Sequence, residues 1–74
     1  MDFFKHSIVK VDDLIPYALK SRTHSDDQVA QIAASIREFG FTNPVLIDDD
    51  CNLIAGHGRL MAARKLKLSE VPAI

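Results

Sequence analysis

The run Ile54-Ala55-Gly56-His57-Gly58-Arg59-Leu60-Met61-Ala62-Ala63 changes character twice in a short space. An apolar, strand-like segment stops at Gly56, a basic glycine-containing tetrapeptide follows, and an alanine-rich segment suited to a helix begins. That order predicts a strand, a tight glycine turn and a helix start. The first amides of a helix have no acceptor within it, and the helix dipole concentrates partial positive charge at the same end. A helix start of this kind is a cradle for an anion. Gly56 and Gly58 let the backbone approach a ligand closely. Arg59 adds a planar fork of donors matched to phosphate or carboxylate.

The rest of the chain limits what can surround that turn. Its 74 residues make one domain, near the small end of what folds alone. A hydrophobic fraction of 47% permits a thin core and excludes the disordered class. The apolar ending Val71-Pro72-Ala73-Ile74 leads us to expect a single domain over 1–74 that is a fragment of a longer protein. Nine Lys+Arg against ten Asp+Glu leave a net charge of −1. This argues against a broad electrostatic DNA-binding face and leaves room for a small basic pocket. Basic residues crowd the last third at Arg59, Arg64, Lys65 and Lys67, while acids gather at Asp26, Asp27 and Asp48 to Asp50. Cys51 is the only cysteine, so neither a disulfide nor a thiolate metal cluster is expected. No apolar run approaches the roughly 20 residues of a membrane span. The expected setting is cytoplasmic, with no membrane partner.

In chain order, Ile8-Val9-Lys10-Val11 reads as a first strand, stopped by Asp12 and Asp13. Leu14-Ile15-Pro16-Tyr17 is apolar but broken by proline, and reads as a turn or short helical piece. Ala18 to His24 reads as a loop carrying Lys20, Arg22 and His24, either solvated or, with Arg22 first, reaching the anion of Arg59. A helix then follows. Ser25 and Gln28 form a capping box, Asp26 and Asp27 suit the first turn, and Gly40 ends it. Val29, Ile32, Ala33, Ile36 and Phe39 fall on one stripe that should be buried.

After a connector, Phe41 to Pro44, two short strands at Val45-Leu46-Ile47 and Leu53-Ile54-Ala55 flank the polar tip Asp48 to Asn52 as a hairpin. Three successive aspartates invite a metal site, but their spacing departs from a calcium loop and hairpin tips favour Asp and Asn anyway. No metal site is assigned. A second helix is expected from Gly58 or Arg59 to Lys67, with Ala62, Ala63 and Leu66 on one face and Arg59 on the same meridian. His57 has three readings: a ligand contact, a catalytic group or a structural residue.

These segments, in this order, carry a resemblance. Val11-Asp12-Asp13-Leu14-Ile15-Pro16, Arg22, Ser35-Ile36-Arg37-Glu38-Phe39-Gly40, Asn43-Pro44-Val45, Ile54-Ala55-Gly56-His57-Gly58-Arg59, Ala62-Ala63 and Val71-Pro72 resemble the N-terminal domain of the ParB family. The likeness is closest to the ParB-like nuclease domains of phage and prophage proteins, often found ahead of a DNA methyltransferase. It implies an α+β, ParB/sulfiredoxin-like fold, with a small mixed sheet of about four strands packed by two main helices.

In ParB partition proteins this domain binds and slowly hydrolyses CTP, with a Gly-Glu-Arg-Arg motif holding the phosphates at this helix start. By position the resemblance implies phosphate contacts at Gly56, Gly58 and Arg59, and CTP or another nucleotide with Mg2+ as cofactor. His57 stands at the family's glutamate and Gly58 at its first arginine. The fold also resembles sulfiredoxin, whose catalytic cysteine position is taken here by His57, so sulfiredoxin chemistry is not expected.

The leading reading is a nucleotide- or phosphate-binding module of a DNA-processing or DNA-partition protein. Its ligand-binding residues are Gly56, His57, Gly58, Arg59 and Arg22. DNA would be bound by segments outside this chain, and the full-length protein would form a homodimer. Two alternatives stand beside it: a metal-dependent DNA nuclease, and a non-catalytic interaction module attached to a DNA methyltransferase. Enzyme status is left open between a weak nucleotide hydrolase or nuclease, with His57 the candidate catalytic group, and no enzyme.

Overall fold

The computed structural model describes residues 6–17 and 24–74. Strand β1 (Ser7–Lys10) is followed by a single 3-10 turn, Val11–Asp13, and then by helix α1 (Asp26–Phe39). Strands β2 (Leu46–Ile47) and β3 (Leu53–Ala55) form the hairpin, helix α2 (His57–Lys65) comes next, and β4 (Glu70–Ala73) completes the chain. Both helices and the first three strands fall where the sequence patterns place them, and β4 is the fourth strand that the resemblance implies.

The strands form two antiparallel pairs, β1 with β4 and β2 with β3. The pairs are joined edge to edge in parallel fashion. The Val45 amide donates to the Pro72 carbonyl at 3.0 Å, that of Ile74 to Val45 at 2.9 Å, and that of Ile47 to Ile74 at 3.1 Å. The result is the mixed arrangement expected, in the order β1-β4-β2-β3.

Segment Leu14 to Tyr17 differs from its reading as a turn or helical piece. The helical turn comes earlier, at Val11–Asp13, and Ile15 is extended, its amide donating to Cys51 at 2.9 Å and its carbonyl accepting from Leu53 at 2.8 Å. Pro16 explains the difference, because its ring excludes helical angles at the preceding residue.

Helix α2 is the middle layer. Leu60 and Ala63 face the sheet in a cluster with Val11, Leu14, Val45, Leu53, Val71 and Ala73. Ala62 faces α1, beside Val29 and Ala33, with Ile32, Ile36, Met61 and Leu66 around them. Ala62 and Ala63 were expected on one face. Consecutive helical residues project about 100° apart, and here each faces a different layer, both fully buried. Apolar residues on both sides, with methyl-sized contacts, let one short helix be covered from two directions.

The α1 cap forms as expected: the Gln28 amide donates to Ser25 Oγ and the Ser25 amide to Gln28 Oε1, each at 3.2 Å. Phe39 departs from its predicted stripe and is 68% exposed. The α2 start lies against Ile32, so the last turn of α1 extends past it and has no helix opposite.

The end of α2 is also shorter than read. Lys67 lies beyond the helix with φ +59, its amide donating to Arg64 at 3.1 Å while that of Leu68 donates to Ala63 at 2.9 Å. This is a Schellman closure with lysine where glycine is usual. Left-handed backbone costs a non-glycine residue about 1–2 kcal/mol. Lys67→Gly is therefore expected to raise the melting temperature by about 5 °C in calorimetry. An unchanged or lower value would contradict the assignment.

Candidate functional site

The strand-to-helix turn has the geometry its residues demand. Gly56 is the N-cap of α2 at φ +99 and ψ +26, whereas N-caps ordinarily sit in extended backbone. A Cβ there would lie 2.9 Å from Cγ1 and 3.2 Å from Cα of the fully buried Val45, so both the angle and the space require glycine. The Leu60 amide makes the first intrahelical bond, to Gly56 at 2.9 Å. The amides of the three preceding residues point out of the helix start. The two helices are capped differently. α1 has a capping box and two acids in its first turn, while α2 has no side-chain cap and no acid there. The positive end of α2 therefore has neither a capping side chain nor a first-turn acid beside it.

Gly58 is buried for a different reason. A Cβ at this helical position would meet Ile32 Cδ1 at 2.8 Å and His24 Nδ1 and Cε1 at 3.2 Å. The glycine lets α1 and the residue preceding its cap come down onto the start of α2.

Arg59 is half-buried, and one guanidinium N–H donates to the Pro44 carbonyl over a long 3.4 Å. That contact uses one of five donors and fixes the side chain's direction. Arg59 lines two adjoining clefts. One, of about 540 Å³, is walled by His24, Ile32, Ile54, Ala55, Gly56, His57 and Gly58. The other, of about 280 Å³, lies between the second half of α1 and residues 40–43 and offers apolar Ile36 and Phe41 beside the polar Ser35, Thr42 and Asn43. Ile32 and Arg59 are common to both.

His57 is the one buried polar or charged side chain among the described residues, only 4% exposed. Its Nε2 accepts a hydrogen bond from the Tyr17 amide at 3.2 Å. An apolar environment tolerates an imidazole whose nitrogen has such a partner. The bond ties the segment after Pro16 to the first residue of α2. Arg22, the other expected ligand contact, lies outside the described residues, as does Lys20.

The aspartate-rich tip is organised around its own backbone. Asp48 Oδ1 accepts from the Asp50 and Asn52 amides, each at 2.9 Å, and Oδ2 from Asn52 Nδ2 at 3.0 Å. The Asn52 side chain, then its amide, holds the exposed Asp48 carboxyl below the usual carboxylate range. Among the described residues no three His, Cys, Asp or Glu groups are placed to share a metal ion. Cys51, a free thiol, belongs to the same tip. His24, one of the three loop residues read as either solvated or reaching the anion of Arg59, lines the cleft with Arg59. Pro44, whose carbonyl receives Arg59, carried no signal.

Two packed helices on a mixed sheet, with an uncapped helix start opening into a cleft, define a small α+β domain. Residues 4–74 match the model of the ParB N-terminal domain, and the chain belongs to that family. It is 58% identical over 64 residues to the ParB-like nuclease domain-containing protein YnaK of Escherichia coli K12, covering 86% of this chain and 74% of that one.

In fold it resembles the C-terminally truncated chromosome-partitioning protein ParB of Caulobacter crescentus, solved in complex with CTP-γ-S (TM-score 0.81, 24% identity, 96% of this chain and 43% of that one). It resembles sulfiredoxin of Arabidopsis thaliana equally well (TM-score 0.81, 19% identity, 96% and 83%). At those identities the likeness concerns the fold. The chain is related to chromosome-partitioning and nucleoid-occlusion proteins, and it spans 24% of the length of those relatives. No helix among the described residues is long and apolar enough to cross a membrane.

Proposed function

We propose that the chain is a nucleotide-binding module of a DNA-processing or DNA-partition protein. Its phosphates would sit at the start of α2 and its base and ribose in the adjoining cleft. The observation that carries this reading is Arg59, a single cation lining both clefts directly beside an uncapped helix start. The larger cleft offers backbone donors and positive charge, which suit phosphate oxygens. The smaller offers apolar walls with a few hydroxyl and amide groups, the usual lining for a planar ring with a polar edge. The CTP-γ-S complex of the Caulobacter protein makes CTP the first nucleotide to test.

The residues fit a triphosphate better than they fit a bare metal. Gly56, Gly58 and Arg59 would hold the phosphates, whose charge would satisfy the outward amides. Mg2+ would arrive on the phosphates with most of its water, as it commonly does. Arg22 stays in the ligand-binding set on its sequence position. We assign His57 to holding the turn, because using Nε2 as a general base would first require breaking its bond to the Tyr17 amide. Contact with DNA, homodimer formation and a cytoplasmic place are assigned to the full-length protein. The name of the 58% identical relative favours nuclease activity as a second reading. Asp48, the first of the aspartates that reading would recruit, already has both oxygens engaged in the hairpin tip.

A ligand present at 100 times its Kd stabilises a fold by about 2.7 kcal/mol. Thermal melts with CTP, ATP or GTP and Mg2+ are therefore expected to show a clear rise for at least one nucleotide. No rise for any of them at millimolar concentration would overturn the nucleotide reading.

A further inference from the structure

His24 stands immediately before Ser25, the cap of α1, so the reciprocal Ser25–Gln28 bonds at 3.2 Å fix the backbone that carries it. Helix α1 in turn rests on α2, with Ile32 against Gly58. These restraints bring the half-buried imidazole onto the α2 start, where a Cβ at Gly58 would lie 3.2 Å from its Nδ1 and Cε1. His24 lines the same cleft as Gly56, His57 and Arg59.

We propose that His24 is a protonation-dependent anion contact of this cleft, so that binding strengthens as pH falls. The inference rests on the anion-binding reading above. Imidazole gains a charge and a second N–H donor on protonation, within the range of pH 5–8. An anion held between the ring, the α2 start and Arg59 favours the charged form of the ring. Proton and anion therefore bind with positive coupling, and each raises the affinity of the other. The titratable and charged groups sharing the cleft from α2 are His57 and Arg59, and Asp26 and Asp27 follow on the His24 side in the first turn of α1.

The test uses the full chain and sulfate, an anion whose charge does not change over this range, unlike phosphate or a nucleotide. Affinity is read from the amide shifts of Gly56 to Leu60 at about pH 5.5 and about pH 8. Wild type is expected to bind about fivefold more tightly at the lower pH, a partly screened charge-assisted contact. His24→Gln and His24→Phe should bind at the high-pH level throughout. The phenylalanine keeps a ring against Gly58, so loss of the pH response in both variants reports charge and not packing. A pH response in His24→Gln equal to wild type overturns the proposal while leaving the cleft reading intact. Absence of sulfate shifts in every protein at every pH overturns both.

Discussion

Gly56→Ala is expected to lower the melting temperature by about 15 °C. Two effects add at this position. At φ +99 an alanine is left-handed, which costs about 1–2 kcal/mol. Its Cβ would also stand 2.9 Å from Cγ1 and 3.2 Å from Cα of Val45. Val45 is fully buried and its amide and carbonyl both belong to the bonds that join β2 to β4, so it cannot retreat cheaply. Overpacking of this kind costs about 1–3 kcal/mol, for a sum near 3 kcal/mol in a domain whose total stability is of order 5–10 kcal/mol.

Gly58→Ala makes the informative contrast. It is helical, gains about 1 kcal/mol of helix propensity, and meets first the flexible end of Ile32. Its loss is expected to be much smaller. Paired calorimetric melts would measure both, and a Gly56→Ala protein melting within a few degrees of wild type would contradict the geometry of the turn.

Arg59→Ala is expected to weaken nucleotide binding about 30-fold with little change in folding. A charge-assisted contact to phosphate contributes about 2 kcal/mol, and 1.4 kcal/mol corresponds to tenfold in affinity. The fold has little at stake in this side chain, whose hydrogen bond among the described residues is one of 3.4 Å to the Pro44 carbonyl. Arg59→Lys should fall between the two, since an ammonium keeps the charge and loses the planar fork. Titration calorimetry with the best nucleotide would rank the three proteins. Wild-type affinity in Arg59→Ala would move the binding site elsewhere.

Much of the scaffold was legible from local patterns. The Ser25–Gln28 box, the stripe Val29 to Ile36 and Gly40 mark α1 because helix ends and helix faces have short-range chemical signatures. The hairpin was legible for the same reason, its tip being an aspartate turn that satisfies its own backbone. The start of α2 followed from a glycine between apolar and alanine-rich segments. What was not legible depends on which layer lies opposite each residue.

Ala62 and Ala63 look equivalent in sequence, yet one faces α1 and the other the sheet. Phe39 obeys the helical period and is still exposed, because α2 starts further back along α1. Ile15 departs from its reading because Pro16, read as a break that makes a turn, instead holds the residue before it extended, where it bridges to Asn52. At the candidate site, Arg59 and the glycines were singled out from their chemistry, and the structure brings them together on one cleft. The burial of His57 and its bond across the chain to Tyr17 required the tertiary structure, as did the placing of His24 on Gly58.

An α2 start that holds the phosphates of a nucleotide extending into the neighbouring cleft is tested most directly by a two-dimensional amide spectrum of the labelled chain titrated with CTP and Mg2+. Saturable shifts are expected at Gly56 to Leu60, accompanied by shifts at Ser35, Thr42 and Asn43 along the second cleft. Shifts confined to the hairpin tip or the far end of α2, or no shifts at millimolar nucleotide, would contradict it.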